Sequence, residues 1–425
     1  MLFFNKKISI HSPTATPPSP SQGEGRDGGA MSPHASHHPH ACPPPKRGRG
    51  LAWYVLCCLF VCQPFFAQAA DIPPPPALAA KAYLLQELNS GTIIARQGGE
   101  QRIEPASLTK LMTAYLSFQA LKNGHLKLNQ TLPVSTKAWK AEGSRMFVQP
   151  DIPVTVDELL HGMIIQSGND ACIALAEGIA SSEEAFAEMM NKQAAQLGMK
   201  NSHFVNATGL PDPKHYTTVN DLALLAASII RDFPDQYQRL YSVKQYTYNK
   251  ITQPNRNRLL WIDPSVDGMK TGHTEAAGYC LVASAKHGDM RLLSVLVGAP
   301  SDNARATESQ KLLNYGFQFF ETRLIYKAGQ EVSKLKLWKA RQDMLSATVA
   351  SNLYLVYPKG RYSNVKATIT STQPLIAPLT QGQQVGNIHF ELDGKAILEQ
   401  KLVTAQEVPV AGLFRRIWDG IRLKF

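Results

Sequence analysis

The chain has 425 residues, 44% hydrophobic and 18% charged, which supplies core material for two or three domains and excludes wholesale disorder. Its formal net charge of +11 suits solubility and attraction to an anionic lipid or anionic polymer. No aromatic-plus-basic module accompanies that charge, which argues against a nucleic-acid partner.

In chain order, the first 70 residues read as a leader. Lys46, Arg47 and Arg49 precede an unbroken apolar run from Leu51 to Cys62, and Ala67-Gln68-Ala69 supplies small residues for cleavage. The run is shorter than the roughly 20 residues a membrane-spanning helix needs. Met31 is a second possible start. The cluster His34, His37, His38, His40 and Cys42 looks like a metal tract but precedes the cleavage site. Cys42, Cys57, Cys58 and Cys62 leave with the leader. Cys172 and Cys280 remain, too few for a disulfide framework and expected as small buried hydrophobes.

A proline-rich linker (71–78) leads into a segment, 79–326, that mixes strand and helix patterns. Ala82-Tyr83-Leu84-Leu85 and Thr92-Ile93-Ile94-Ala95 flank Asn89-Ser90-Gly91 as an opening hairpin. Helices are expected over 107–122, 156–179, 183–197 and 218–231, with Asp221 at capping-box distance from Thr218 and so structural. Gly278 to Val297 returns to strand patterning around His287-Gly288-Asp289. Strands at both ends with helices between predict one antiparallel sheet covered by helices. Over 327–410 the helical signals vanish. Short alternating runs punctuated by Pro358, Gly360, Pro374, Pro378 and Gly382 predict a small all-β domain. The final segment, 411–425, sets Leu413, Phe414, Ile417, Trp418, Ile421 and Phe425 near helical spacing, with basic residues between them. That pattern suits an amphipathic helix lying on an anionic membrane surface, or a helix packed on its own domain.

Three short motifs carry chemistry. Ser107-Leu108-Thr109-Lys110 follows Pro105 at an expected helix start, where positions i and i+3 share a face. A serine hydroxyl needs a base, and a buried lysine can be that base once its pKa falls. The same spacing recurs at Ser333–Lys336 and Ser363–Lys366, so alone it says little. Ser167-Gly168-Asn169 heads a second helix; it offers a proton relay and a substrate-holding amide, or simply a helix cap. Ser301-Asp302-Asn303 has the same form. Lys270-Thr271-Gly272-His273-Thr274 offers positive charge for a carboxylate and a glycine that permits close backbone approach.

In the order S-x-x-K, S-x-N, K-T-G, these motifs resemble the penicillin-binding D-alanyl-D-alanine carboxypeptidases of low molecular mass, relatives of the serine β-lactamases. Longer phrases agree: Glu104 to Lys110, Ser167 to Ala171 and Asp267 to Thr274. The resemblance implies an α+β fold: a β-lactamase/transpeptidase-like catalytic domain, then a β-sandwich and the amphipathic helix. It implies Ser107 as nucleophile, Lys110 as general base, and the backbone N–H groups of Ser107 and His273 as oxyanion hole. Ser167 and Lys270 would protonate the leaving D-alanine. Asn169, Thr271, Gly272 and Arg305 would hold the substrate, Arg305 resting on the looser context Gly298-Ala299-Pro300 to Glu308, with an ordinary surface arginine as the alternative. No metal or cofactor is implied. The implied partners are peptidoglycan stem peptides, β-lactam antibiotics and the membrane surface. The implied location is the periplasmic face of the bacterial inner membrane. A β-lactamase of the commonest class would need Glu-x-x-Leu-Asn between Asn169 and Lys270, which is absent. An endopeptidase sharing the site and an inactive scaffold are the remaining rivals.

Overall fold

The computed structural model describes residues 72–424 and the backbone of a strand, β1 (Leu2–Ile8). The expected cleavage region, the histidine cluster and Met31 lie outside the described residues. β1 pairs antiparallel with the C-terminal domain (Leu2 opposite Gln373, Ile8 opposite Ala367), a strand that the leader reading does not contain.

The opening hairpin is β2 (Ala82–Glu87) and β3 (Ile93–Gln97). The lysine-bearing strand is β4 (Val266–Thr274), followed by β5 (Gly278–His287) and β6 (Met290–Ala299). They form a five-stranded antiparallel sheet in the order β3-β2-β6-β5-β4, which leaves β4 at an edge. Period-two alternation buries both faces. Leu84, Val282, Leu293 and Val295 point into a helix-filled core, while Leu85, Leu281, Ala283 and Leu292 point into a second core.

The first core is filled by α1 (Lys110–Lys122), α2 (Val156–Ile165), α3 (Asn169–Ala180), α4 (Glu183–Leu197) and α5 (Val219–Asp232). Local chemistry sets their ends. Thr155 and Glu158 form a reciprocal capping box on α2, Ser182 caps α4, and Gly198 closes α4 at φ +80°. Thr218 accepts from the Asp221 N–H at 3.1 Å, and the Asp221 carboxylate accepts from the Asn201 N–H, so Asp221 is structural as expected. The 156–179 helix is broken at Gln166-Ser167-Gly168, where Ser167 turns to φ +68°. α6 (Asp302–Phe319), which sequence patterning does not place, covers the other face through Leu312 and Leu313.

Next, β7 (Phe320–Tyr326) lies inside the segment assigned by sequence to the catalytic domain. It pairs instead with β10 (Leu353–Pro358) of the C-terminal strands. Between and after them run β8 (Glu331–Trp338), β9 (Met344–Thr348), β11 (Val365–Gln373), β12 (Leu375–Ile376), β13 (Gln384–Leu392) and β14 (Lys395–Thr404). With β1 they order as β1-β11-β13-β14-β9-β8-β12. Ser333 and Lys336 lie on β8, where three-residue spacing sends side chains to opposite faces, so this repeat of the motif cannot act as a pair.

The chain closes on α7 (Leu413–Arg422). It docks through polar groups: the buried Asp419 carboxylate accepts from the Lys339 N–H at 2.7 Å, and Arg415 pairs with Asp343. Its apolar face points outward, with Phe414 90% and Trp418 61% exposed. No described helix is long and apolar enough to cross a membrane.

Candidate active site

Ser107 sits on a 3₁₀ turn (Ala106–Thr109) that runs into α1. The sequence reading expects an α-helix start here; the tighter turn eclipses positions i and i+3 and brings the pair closer still. The Lys110 Nζ lies 3.1 Å from the Ser107 Oγ. It also donates to the Asn169 Oδ1 at 2.7 Å and to the Thr208 carbonyl at 2.6 Å. Lys110 is 1% exposed, and burial, with the Arg256 charge adding to it, holds its pKa below the ordinary lysine value. A neutral amine has two protons and one lone pair. Two carbonyl oxygens can only accept, so they take both protons and leave the lone pair facing the serine hydroxyl. That arrangement turns a weak nucleophile into an activated one.

The turn is held from behind by a strap, residues 205–215, that the sequence reading misses. The Asn206 Oδ1 accepts from the N–H groups of Thr208 and Gly209, fixing the bend that aims the Thr208 carbonyl at Lys110. The Ala207 carbonyl accepts from the Thr113 Oγ1 at 2.7 Å. His215 is buried, which pushes its pKa down to about 4. Its Nδ1 accepts from the Val205 N–H at 3.3 Å, assigning the proton to Nε2, which donates to the Thr109 Oγ1 at 2.8 Å. No periodic or motif signal marks this strap; its contacts cross about a hundred residues of chain.

Ser167 and Asn169 do not cap a helix: Gly168 is the N-cap residue of α3 and no side chain caps it. Ser301, in the look-alike triplet, does cap, accepting from the Ala304 N–H at 3.1 Å. The Ser167 Oγ is buried and has no partner among the described residues. The Asn169 Nδ2 donates to the Glu142 carbonyl and its N–H to the Ser144 carbonyl, tying the cleft rim to α3. Asp170 completes the tie, since its buried carboxylate accepts from the N–H groups of Met146, Phe147, Val148 and Ala171. Asp170→Ala leaves three rim amides unpaired and is expected to cost about 3 kcal/mol or more in denaturant unfolding. Asp170→Asn, which keeps one acceptor, is expected to recover part of that loss; no difference between the two would contradict the assignment.

Lys270 and Thr271 are buried on the edge strand β4, and His273 is exposed at its end, its ring 4.0 Å from that of Tyr279. Burial, then the Lys110 and Arg256 charges, keep the Lys270 pKa well below normal. Gly272 serves a different approach from the expected one. A Cβ there would meet the Pro105 carbonyl, Leu108 and Ala106 at 3.2–3.3 Å, so the missing side chain admits the nucleophile turn. Arg305 is a buried residue of α6, not a surface arginine; it donates to the Gly272 carbonyl at 3.3 Å and pairs with Asp302. Cys172 and Cys280 are free and buried, and burial raises their pKa values to about 12 and about 11, as inert thiols. No group of metal-ligating side chains occurs among the described residues.

The geometry therefore brings all three motifs and Arg305 together: Lys110 bonds Ser107 and Asn169, Gly272 packs on the nucleophile turn, and Arg305 bonds the Gly272 carbonyl. A sequence profile of the D-alanyl-D-alanine carboxypeptidases matches residues 68–301, more than half of the chain. The chain belongs to that family. A second profile, the C-terminal domain of penicillin-binding protein 5, matches residues 320–410. The D-alanyl-D-alanine carboxypeptidases DacC and DacA of Escherichia coli are each 42% identical, over 86% and 83% of this chain and 94% and 90% of their own lengths. Penicillin-binding protein 5 from Haemophilus influenzae, a solved structure, superposes with a TM-score of 0.77 at 42% identity, covering 79% of this chain and 99% of its own. Penicillin-binding protein D2 from Listeria monocytogenes, solved in an ampicillin-bound form, reaches a TM-score of 0.53 at 29% identity, over 58% of this chain and all of its own. The carboxypeptidase is thus a serine-type hydrolase, with a helix-and-sheet catalytic domain followed by an all-β domain, as the resemblance implies.

Proposed function

We propose that this carboxypeptidase removes the terminal D-alanine from peptidoglycan stem peptides through an acyl-enzyme on Ser107, working at the periplasmic face of the inner membrane. The observation that carries the chemistry is Lys110, buried between two carbonyl acceptors with Ser107 at 3.1 Å. Ser107 Oγ attacks the carbonyl between the two D-alanines as Lys110 takes its proton. The N–H groups of Ser107 and His273 stabilise the oxyanion. The C–N bond breaks, and Ser167 with Lys270 returns a proton to the departing amine. Asn169 holds the peptide, while Thr271, Gly272 and Arg305 secure the free carboxylate end. Water then cleaves the ester. Penicillins acylate Ser107 by the same attack and hydrolyse slowly, in keeping with the missing Glu-x-x-Leu-Asn segment. Release of D-alanine from a peptide ending in D-Ala-D-Ala tests the reading; penicillin trapping without release would point to an endopeptidase.

Two observations support the location. The leader carries a basic stretch, an apolar run and small residues in the order an export signal uses. α7 turns its polar side to the β domain and its apolar side to solvent, the reverse of a helix packed on its own domain. Burying Phe414 and Trp418 in a lipid interface is worth about 1.5–3 kcal/mol each. The double substitution Phe414→Ser, Trp418→Ser is therefore expected to weaken sedimentation with anionic vesicles by about 100-fold or more while leaving D-alanine release intact. Unchanged sedimentation would remove α7 as the anchor.

A further inference from the structure

The nucleophile turn and β4 lie against each other largely through van der Waals contact. Gly272 packs on Pro105, Ala106 and Leu108, and no backbone hydrogen bond joins the two segments among the described residues. A side-chain bond does. The Thr274 Oγ1 donates to the Glu104 Oε2 at 2.9 Å, across 170 residues of chain. Both residues are half-buried, so the bond is partly shielded from water. The same hydroxyl accepts from the Ala277 N–H at 3.0 Å, which leaves its own proton for Glu104 and closes the turn between β4 and β5. Lys81 holds that turn as well, donating to the Ala276 carbonyl at 2.8 Å.

Packing and hydrogen bonding restrain different motions. Apolar contact is non-directional: Gly272 limits how close β4 comes without fixing where the strand stands along its axis. A hydrogen bond has a preferred distance and angle, and does fix it. Glu104 stands three residues before Ser107, and Thr274 directly follows His273. Ser107 and His273 carry the amides assigned to the oxyanion. The turn also needs restraint, because Ala106 is held at φ +47°, a conformation that persists only where its surroundings impose it. We infer that the Glu104–Thr274 bond sets the separation of the Ser107 and His273 N–H groups, with Glu104 a positioning residue for the oxyanion hole. This inference rests on the carboxypeptidase reading and adds to it a residue that acts through others.

The probe is an acyl-D-boroalanine, a boronic acid whose tetrahedral adduct on a serine places an oxygen where the oxyanion would lie. Glu104→Ala is expected to lower kcat for D-alanine release about tenfold with KM little changed, the size of one lost hydrogen bond. Boronate inhibition should weaken by the same factor. Outright loss of an oxyanion donor costs about 100-fold or more, and displacing two intact donors costs less. Glu104→Gln keeps an acceptor for Thr274 and is expected to restore both quantities. Thr274→Val cuts the bond from the β4 side, and the double variant with Glu104→Ala is expected to bind the boronate no more weakly than Thr274→Val alone. A purely structural role would reduce the fraction of molecules that penicillin titrates and leave the boronate affinity of that fraction untouched. That result, or equal losses in Glu104→Ala and Glu104→Gln, would overturn the inference while leaving the carboxypeptidase reading standing. Native boronate affinity in Thr274→Val would overturn it even if Glu104→Ala failed to fold. No D-alanine release by the native protein would overturn both.

Discussion

Ser107→Ala is expected to abolish covalent penicillin labelling and to cut D-alanine release by at least about 10⁴-fold, the scale seen when an activated serine nucleophile is removed. The site explains the size of the effect. The Lys110 amine is oriented by Asn169 and Thr208 toward a single hydroxyl, and alanine leaves that lone pair with nothing to deprotonate. Folding should be unaffected, because Ser107 is only half-buried and the two other bonds of Lys110 do not involve it. Persistent labelling would show that another residue is the nucleophile, and the proposed role of every other group would fall with it.

Gly209→Ala is expected to be nearly as damaging although the residue carries no functional group. Gly209 stands at φ +85°, and a Cβ there would lie 1.8 Å from the Ala106 carbonyl oxygen, with the Thr109 Oγ1 at 2.8 Å. Neither can yield cheaply. Ala106 is itself held at φ +47°, and Thr109 is pinned by His215. The strap or the nucleophile turn must move, and a displacement of about 1 Å at reacting atoms is enough to cost about 100-fold in rate. The acylation rate by a chromogenic penicillin should therefore fall by about that factor, with a stability loss of about 2–4 kcal/mol in thermal unfolding. Acylation at the native rate would mean that the strap does not set the geometry of Ser107 and Lys110.

What could be read in advance follows the range of the interactions involved. The opening hairpin, the strand pair around His287-Gly288-Asp289 and α1 to α5 are visible because their signals are local: turn residues, caps and a side-chain period. α6 was invisible for an equally physical reason. Its buried face carries Arg305, Glu308 and Ser309 among the apolar residues, which dilutes the periodic pattern that marks a helix. β7 is apolar enough for either domain, and only its pairing with β10 assigns it.

The sequence by itself determined the chemistry available here: a hydroxyl three residues from a lysine, an S-x-N triplet and a K-T-G strand, in an order that marks the family. It also determined an α+β fold with an all-β appendage and an amphipathic end. Tertiary structure alone decided which residues make that chemistry work. Burial, with the Arg256 charge adding to it, lowers the Lys110 pKa, Asn169 and the strap together draw its protons away from Ser107, and packing puts Arg305, Arg256 and Gln166 around one pocket. It also decided that α7 would dock by its polar side, leaving its apolar face free. These contacts join groups 59 to 106 residues apart around Lys110 and Thr109. Solvation, charge and hydrogen-bond direction depend on which atoms are neighbours in space, and a linear pattern does not carry that information.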